Sequence, residues 1–433
     1  MALSPTSTMR AFPSESICVK SDMLLLYRRG KTSAMSKATA KPQVHLKPKR
    51  DRRALSGHPW IFSNEVDGDV SALPAGEAVD VYSSRNKYLG RGYANPNSLI
   101  CIRLCSGRKD DIDHPAFWSW RVREALALRH ALYPQRRSWR LLNAEADGVP
   151  GVVVDCFEDV LSVQLTTLGA ECRKEAIATA LKEVTGARAA VLRSEGRNRQ
   201  LEGLEDERGV LWGEPPQTLV IDEWGVRFQV PVLGGQKTGH FFDQADNRNF
   251  AGPLCRGRTV LDVYANGGGW ALHALAHGAT HATAVDKSAE CAQRICDNAE
   301  LNGFEDRMDS VQAEGKKFLE HQVIRSQQYG AVMLDPPAFA KTKKAAGSAL
   351  RGYRDINALG LQLVEEGGFF FTSSCSFHVH EERFVEAIRE AAAMVGRRLR
   401  MIRRGEQSAD HPVVPGIPES RYLKSLAFAV HMA

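Results

Sequence analysis

The sequence has little of what marks a metal-binding, secreted or membrane protein. Its nine cysteines include no Cys-x-x-Cys pair, and an odd number without framework spacing argues against structural zinc and for a reducing compartment. The longest apolar run near the N-terminus spans residues 23–26, far short of the roughly 20 residues of a membrane span. We therefore expect a soluble, cytoplasmic protein with no metal site and no membrane partner.

Acidic residues are scarce at the N-terminus, where residues 1–40 contain only two and are rich in Ser and Thr. A transit peptide can have this composition, but we favour a disordered tail or a natural start at Met35, and we treat residues 1–43 as an extension. Residues 20–53 hold eleven Lys/Arg and two Asp, a local charge of +9 against a net +6. Such a basic arm fits a polyanion partner, commonly nucleic acid, about as well as a solvated tail.

The pattern of the remaining chain changes twice, which predicts three domains. Residues 44–115 contain short strand-like runs between Gly, Pro, Asn and Asp, typical of a small barrel or sandwich. Residues 116–224 mix helical and strand patterns, with a loop over residues 141–151. From residue 225 to residue 433 strands and helices alternate, so the fold class is α/β with a parallel, doubly wound sheet. We predict strands at 226–230, 260–263, 282–285, 310–312 and 329–334, a strand from 368, and helices at 270–277, 288–301, 314–324 and 381–394.

A basic segment precedes the first strand-like run, which includes a tryptophan. Beside a β surface, arginines can contact phosphates and an exposed tryptophan can stack on bases. The alternative is that the tryptophan belongs to a core and that the arginines are merely exposed. The candidate RNA-binding residues are Lys47, Lys49, Arg50, Arg52, Arg53, His58 and Trp60.

One glycine-rich stretch organises the C-terminal part. The apolar run at 260–263 leads to Gly267–Gly269, and a second run ends in Asp286. In a doubly wound sheet, this layout holds a nucleotide-like ligand beyond the carboxyl ends of the strands, and the acid accepts hydrogen bonds from ribose. A dinucleotide fingerprint needs a third glycine where Leu272 stands, so a dehydrogenase is the weakest interpretation.

Two further strand ends add chemistry to the same predicted edge. Asp335 follows the strand at 329–334 and precedes two prolines, which stiffen a backbone suited to a flat polar ligand. Cys375 follows the strand from 368, and we favour it as a nucleophile over a core residue. His378 and His380 lack a usual zinc spacing and are interpreted as loop residues. A dense polar loop at 234–248 can cover a charged ligand.

Several motifs in this order resemble the RlmI-type bacterial S-adenosylmethionine-dependent methyltransferases, which form 5-methylcytosine in large-subunit ribosomal RNA. The likeness runs from about Val44 to the C-terminus. It is carried by Gly57-His-Pro-Trp-Ile-Phe-Ser63, Gly235-Gln-Lys-Thr-Gly-His-Phe-Phe-Asp-Gln244, Val260-Leu-Asp-Val-Tyr-Ala-Asn-Gly-Gly-Gly269, Asp335-Pro-Pro-Ala-Phe339, Arg351-Gly-Tyr-Arg-Asp-Ile-Asn357, Ser374-Cys-Ser376, Ala409-Asp-His-Pro-Val413 and Tyr422-Leu-Lys424.

The resemblance implies an N-terminal PUA-like RNA-binding β barrel, a central α/β domain and a Rossmann-like class I methyltransferase domain. It implies S-adenosylmethionine as cofactor and large-subunit ribosomal RNA as partner, and we consider a homodimer as the assembly. Asp335 would bind the polar edge of the target cytosine, and Cys375 would attack its C6. The implied cofactor-binding residues are Gln236, Lys237, Thr238, Gly239, Phe241, Asp243, Asp262, Tyr264, Asn266, Gly267, Gly268, Gly269, Asp286, Lys287, Glu314, Asp335 and Pro336.

Two alternatives stay open besides the dehydrogenase. The Asp-Pro-Pro-Ala-Phe motif can serve methylation of an exocyclic amine, with Cys375 as a bystander. The chain can also be a non-catalytic RNA-binding protein that retains the fold of an enzyme.

Overall fold

Five short strands form the first sheet of the chain. The computed structural model describes residues 40–234, 239–340 and 342–433. The sheet order is β1-β3-β4-β5-β2, in which β1 and β3 are parallel and the other pairs antiparallel. Val79, Val81 and Ile102 are fully buried between its strands. The elements are β1 (Gln43–His45), α1 (Arg52–Leu55), β2 (Trp60–Ile61), β3 (Ala78–Tyr82), β4 (Tyr88–Ala94) and β5 (Ile102–Ser106).

A second five-stranded sheet follows, with the order β10-β9-β8-β7-β6. The loop predicted over residues 141–151 was wrong at its start, because Leu141 and Leu142 are fully buried and belong to a strand paired with Val154. Their burial outweighs the local turn signals that follow. The elements are α2 (Pro115–Leu132), β6 (Trp139–Asn143), β7 (Val152–Phe157), β8 (Val160–Leu165), α3 (Leu168–Glu171), α4 (Lys174–Thr185), β9 (Ala189–Ser194), α5 (Arg197–Gln200) and β10 (Glu207–Trp212).

A hairpin of β11 (Thr218–Glu223) and β12 (Val226–Pro231) leads into a seven-stranded sheet. Its order is β15-β14-β13-β16-β17-β19-β18, with β13 to β17 parallel and β19 antiparallel to both of its neighbours. The elements are α6 (Ala245–Ala251), β13 (Thr259–Val263), α7 (Gly269–Ala276), β14 (His281–Asp286), α8 (Ala289–Asn302), β15 (Met308–Gln312), α9 (Gly315–Ile324), β16 (Tyr329–Leu334), α10 (Ala346–Gln362), β17 (Val364–Ser374), α11 (Glu381–Met394), β18 (Arg397–Gly405) and β19 (Lys424–Met432).

The parallel, doubly wound sheet predicted from the strand and helix alternation is confirmed. Its strands are buried on both faces, since Val260 packs in one apolar core and its neighbour Leu261 in the other. The chain moves from β13 outwards to β15 and then returns to place β16 on the other side of β13. The carboxyl ends of β13 and β16 therefore flank a topological switch point, where such sheets bind ligands.

The segment between β18 and β19 is fastened to the second sheet. Arg129 of α2 is fully buried and donates two hydrogen bonds to Asp147 (2.6 and 2.8 Å) and one to the carbonyl of Asp410 (2.8 Å). The Asp410 carboxylate also accepts the backbone N–H of Arg140 at 2.9 Å. Residues 41–433 accordingly form one compact unit, and the domain boundaries placed after residues 115 and 224 stay a prediction.

No helix within the described ranges is both long enough and apolar enough to cross a membrane.

Candidate cofactor and catalytic site

The turn after β13 has an unusual backbone. Tyr264 and Asn266 adopt left-handed conformations (φ 69° and 52°), which are uncommon for residues with side chains. The backbone N–H groups of Tyr264 and Ala265 both donate to the carbonyl of Val285 on β14 (2.9 and 3.0 Å). Gly268 continues the turn at φ 79° and precedes α7. Backbone strain of this kind is retained where a site needs it, so the turn marks a candidate binding edge.

Asp286 ends β14 beside this turn. One carboxylate oxygen accepts the N–H of Asn266 (3.0 Å), and the other accepts the N–H of Ser288 (3.0 Å). These bonds orient the carboxylate and leave each oxygen a lone pair for a ligand hydroxyl. The next residue, Lys287, is exposed. Gly267 accepts a hydrogen bond at its carbonyl from Asn298 (3.0 Å), which ties the turn to α8.

Asp262 is fully buried inside the same edge. Its Oδ2 accepts the N–H of Ala271 at 3.1 Å, and its Oδ1 has no hydrogen-bond partner in the described chain. Burial, with the negative charges of Asp335 and Asp286 adding to it, raises the pKa of Asp262 to about 7. A buried carboxyl oxygen without a partner costs stability, so a cationic ligand group beside Asp262 would relieve that cost.

The segment after β12 approaches this edge. Gly239 has φ 117° and lies so close to Val230 and Pro231 that a side chain would collide with them. The carbonyl of Phe241 accepts Arg248 Nη2 at 2.9 Å, and Asp243 accepts the hydroxyl of Tyr422 at 2.8 Å. Three of the predicted cofactor-binding residues lie outside the described residues: Gln236, Lys237 and Thr238.

A buried charge cluster, which the sequence did not reveal, supports that segment. Glu223 at the end of β11 accepts Arg248 Nε and Nη2 (2.8 and 2.7 Å) and contacts His240 and His273 (2.8 and 3.1 Å). Burial alone would raise the pKa of Glu223, but Arg248 and His240 hold it well below its usual range. The available signal was His273, because a histidine inside an otherwise apolar helix implies a buried polar partner.

Asp335 lies at the end of β16 and faces the turn. Its Oδ2 accepts Gln244 Nε2 at 3.1 Å and Trp270 Nε1 at 3.4 Å. Burial, and next the charge of Asp243, raise the pKa of Asp335 to about 6. A carboxyl group in this state gains or loses its proton close to neutral pH. Pro336 follows and is buried.

Cys375 lies just beyond the neighbouring strand and is half-buried. Leu334 of β16 pairs with Thr372 of β17, so Asp335 and Cys375 leave the sheet one and three residues after paired positions. The next residue, Ser376, is held by three groups: its Oγ accepts the N–H of Ala340 (3.1 Å) and bonds the hydroxyl of Tyr353 (3.0 Å), and its carbonyl accepts Lys424 Nζ (2.8 Å). The structure therefore places the predicted acid and thiol just beyond the ends of neighbouring strands.

Glu314 has a local structural task. Its carboxylate accepts the N–H groups of Lys316 and Lys317 (3.2 and 2.9 Å) and so caps α9. It also faces Tyr264, whose pKa is raised to about 12 by burial and then by the Glu314 charge. The predicted contact of Glu314 with the cofactor stays a prediction.

The candidate RNA-binding residues divide into two groups. The polar atoms of the aromatic ones are engaged inside the chain: His58, only 4% exposed, accepts the N–H of Trp60 and contacts Glu419 (3.0 Å), and Trp60 Nε1 donates to Glu145 (2.8 Å). Arg53 is half-buried next to them. Four cations are exposed and can reach a polyanion: Lys47, Lys49, Arg50 and Arg52.

Across residues 40–234, 239–340 and 342–433, no group of three or more His, Cys, Asp or Glu side chains is arranged to hold a metal ion.

Two family models match the chain in succession. One is described as a PUA-like domain and matches residues 44–106, which include the first sheet except for Gln43. The other is described as an S-adenosylmethionine-dependent methyltransferase and matches residues 136–428, more than half of the chain. The fold and the site thus define an S-adenosylmethionine-dependent methyltransferase preceded by a PUA-like domain.

Relatives in sequence narrow this class. Ribosomal RNA large subunit methyltransferase I of Vibrio vulnificus (strain YJ016) is 36% identical over 393 residues, covering 89% of this chain and 99% of that protein. The protein of the same name in Alteromonas mediterranea is 34% identical over 391 residues, covering 90% of this chain and 98% of that protein. The chain belongs to the family of these methyltransferases, and the predicted family is confirmed.

Solved structures agree on the fold. A putative SAM-dependent methyltransferase from Streptococcus mutans superimposes with a TM-score of 0.76 at 19% identity, covering 90% of this chain and all of that one. A putative methyltransferase complexed with SAH superimposes with a TM-score of 0.77 at 20% identity, with the same coverage of both chains. The predicted class I methyltransferase architecture with an N-terminal PUA-like domain is therefore confirmed.

The residues present fit the cofactor of this family. The unpartnered buried oxygen of Asp262 suits a cationic group, such as an ammonium or sulfonium. The oriented carboxylate of Asp286 suits ribose hydroxyls. Gly267–Gly269, which follow Asn266 in the turn, carry no side chains and would let the backbone approach a ligand.

Proposed function

We propose that this protein methylates C5 of a cytosine in large-subunit ribosomal RNA, with Cys375 as nucleophile and Asp335 on the base. One observation carries the proposal: Asp335 and Cys375 leave adjacent parallel strands at the edge that also holds the glycine turn. A methyl donor and a thiol on one edge are what methylation of an unreactive ring carbon requires. The substrate class is taken from the relatives, which are named for ribosomal RNA.

The cofactor half of the proposal rests on the turn and two acids. Asp262 and Asp286 would hold the methionine and ribose parts of S-adenosylmethionine, with Asn266 and Gly267–Gly269 as backbone. Gly239, Phe241 and Asp243, with the preceding loop, would close over them. When bound, S-adenosylmethionine supplies an electrophilic methyl group on a sulfonium.

The half of the site that would receive the target cytosine, here called the base half, supplies the nucleophile and the acid. C5 of cytosine is a poor nucleophile, so the Cys375 thiolate first adds to C6 while Asp335, in its protonated form, gives a proton to N3. The S–C6 bond and the proton on N3 leave C5 with enamine character, so C5 would accept the methyl group while the methyl–sulfur bond of the sulfonium breaks and a neutral thioether leaves. A base then removes the C5 proton, the C5–C6 double bond reforms, the thiolate leaves C6 and N3 returns its proton to Asp335.

The raised pKa of Asp335 supports this role, since a carboxyl with a pKa of about 6 exchanges its proton near neutral pH. The target base must leave its stack to reach the edge. The four exposed cations ahead of β2 would contact phosphates of the flanking RNA. The cytoplasm is the compartment we propose, and a homodimer stays a prediction.

RNA in which 5-fluorocytosine replaces cytosine tests the proposal. Fluorine at C5 cannot leave as a proton does, so the enzyme is expected to stay bonded to the RNA through Cys375, and mass spectrometry would find that peptide modified. With ordinary large-subunit RNA the product would be 5-methylcytosine. Retained methyl transfer by Cys375→Ala, or a methyl group on the exocyclic amine, would show that Cys375 is a bystander.

A further inference from the structure

Lys424 occupies an unusual position next to the proposed nucleophile. It is the first residue of β19, pairs with Ser374 of β17 and is only 7% exposed. Its Nζ donates to the carbonyls of Ser376 (2.8 Å) and Tyr422 (2.9 Å). No carboxylate among the described residues forms an ion pair with it, so this cation is buried against neutral acceptors.

The charged and titratable groups facing Lys424 are few. Burial lowers its pKa to about 8, the Cys375 thiol opposes that shift, Arg421 adds to it and Glu381 opposes it. Cys375 in turn faces the hydroxyl of Tyr353 from α10. At pH 7 the Lys424 side chain is therefore still largely an ammonium. Arg421 and Glu381 are themselves paired with each other (2.9 Å), which leaves Cys375 as the group that gains most from this cation.

We infer that Lys424 is a positioning residue that fixes the turn after Cys375 and keeps its thiol ionised. The bond to the Ser376 carbonyl ties the turn to β19, and the ammonium supplies the positive charge that favours a thiolate over a thiol. The inference deepens the proposed reaction and rests on Cys375 as its nucleophile. A purely structural lysine would cap two carbonyls and leave the reactivity of the thiol unchanged.

Alkylation of the full-length protein by iodoacetamide separates these roles without RNA or cofactor. The thiolate sulfur attacks the methylene carbon and iodide leaves, so the rate follows the ionised fraction. Mass spectrometry of the peptide containing Cys375 gives the rate at each pH, and the exposed Cys172 and Cys296 serve as references in the same sample. Lys424→Gln removes the charge but retains two N–H donors. Lys424→Arg retains the charge as well as N–H donors.

In Lys424→Gln we expect Cys375 to react about tenfold more slowly at pH 7, with the midpoint of its pH profile about one unit higher. The references should not change. Lys424→Arg should react within about threefold of the natural protein. An unchanged rate and midpoint at Cys375 in Lys424→Gln would overturn the inference. Should that variant unfold, Lys424→Met is measured in its place, and an unchanged rate and midpoint at Cys375 would again overturn the inference.

The alkylation experiment can fail independently of the proposed function. If Cys375→Ala still methylates RNA, the proposed nucleophile fails while the effect of Lys424 on the thiol can persist. If Cys375 is essential but its alkylation ignores Lys424, only the present inference fails.

Discussion

The reaction edge of the seven-stranded sheet has two halves that are built differently. The cofactor half, at the ends of β13 and β14, orients its acids by backbone N–H groups: Asp262 accepts from Ala271, and Asp286 from Asn266 and Ser288. The base half, at the ends of β16 and β17, orients its groups by distant side chains. Asp335 accepts from Gln244 and Trp270, and the turn after Cys375 is held by Tyr353 and Lys424.

This difference separates binding from chemistry. A carboxylate fixed by local backbone stays in place whatever the distant chain does, which suits a ligand common to many enzymes. Groups fixed by side chains from several elements can be retuned one contact at a time. We therefore expect changes in the base half to affect turnover and changes in the cofactor half to affect affinity.

The largest effect should come from the nucleophile. Cys375→Ala is expected to lower kcat by about 10⁴-fold or more, measured as methyl transfer to large-subunit RNA. Its affinity for S-adenosylmethionine, measured by calorimetric titration, should change less than about threefold. Cys296→Ala, which alters an exposed cysteine on α8, is the matched control and should be silent in both measurements. A weakened cofactor affinity in Cys375→Ala would mean that the two halves are not separable.

Asp335→Asn should rank second. The amide can still donate towards N3 but cannot transfer a proton, so kcat should fall by about 10²- to 10³-fold. KM for S-adenosylmethionine is expected to move little. Asp355→Asn, at a half-exposed acid on α10 that pairs with Arg354, serves as the control. A rise in KM for the cofactor without loss of kcat would place Asp335 in the cofactor half instead.

Asp286→Ala tests the cofactor half. Removing a charged acceptor should raise the Kd for S-adenosylmethionine about 10- to 100-fold, while the alkylation rate of Cys375 stays unchanged. Glu300→Ala, at an exposed position in the last turn of α8, is the control and should bind normally. Equal cofactor affinity in Asp286→Ala and the natural protein would contradict the assignment.

The smallest effect concerns stability and pH. The pKa of Asp262 is raised from 3.8 to about 7 in the folded chain, so the folded state binds the proton more tightly than the unfolded state. This group therefore stabilises the protein less as pH rises from about 4 to about 7. Asp262→Asn should remove that loss, which is about 2–3 kcal/mol between pH 5 and pH 8. Urea unfolding without cofactor measures it, and an identical pH dependence in both proteins would refute it.

The strands that lead to the glycine turn, Asp286 and Asp335 were predicted more closely than the strand that leads to Cys375, and the reason is locality. Asp262, the glycine turn and Asp286 lie within 25 residues of one another, where apolar runs and glycines mark strand ends. The predicted strands at 260–263, 282–285 and 329–334 agree with β13, β14 and β16 to within a residue at either end. The strand predicted from 368 begins earlier, at Val364, because the polar residues and glycines at 365–368 hide its start.

Local sequence patterns could not predict the contacts between segments that lie far apart in the chain. Lys424 meets the turn after Cys375 because β19 pairs with β17, and in the sequence only the resemblance to known methyltransferases points to residues 422–424. Neither β18 nor β19 was predicted, although Leu399 and Met401 alternate with arginines along β18. The Glu223 cluster joins β11, α6 and α7 across up to 50 residues, a pairing that no single stretch of sequence specifies.

The link from Arg129 to Asp410 bears on how such an enzyme can be divided. The segment that leads into Tyr422 and Lys424 is anchored to a helix encoded almost 300 residues earlier. A catalytic fragment cut at residue 225 would lose that anchor, and a transplant of the C-terminal sheet onto another RNA-binding module would lose it too. The smallest piece that keeps this anchor therefore contains the second and third sheets together.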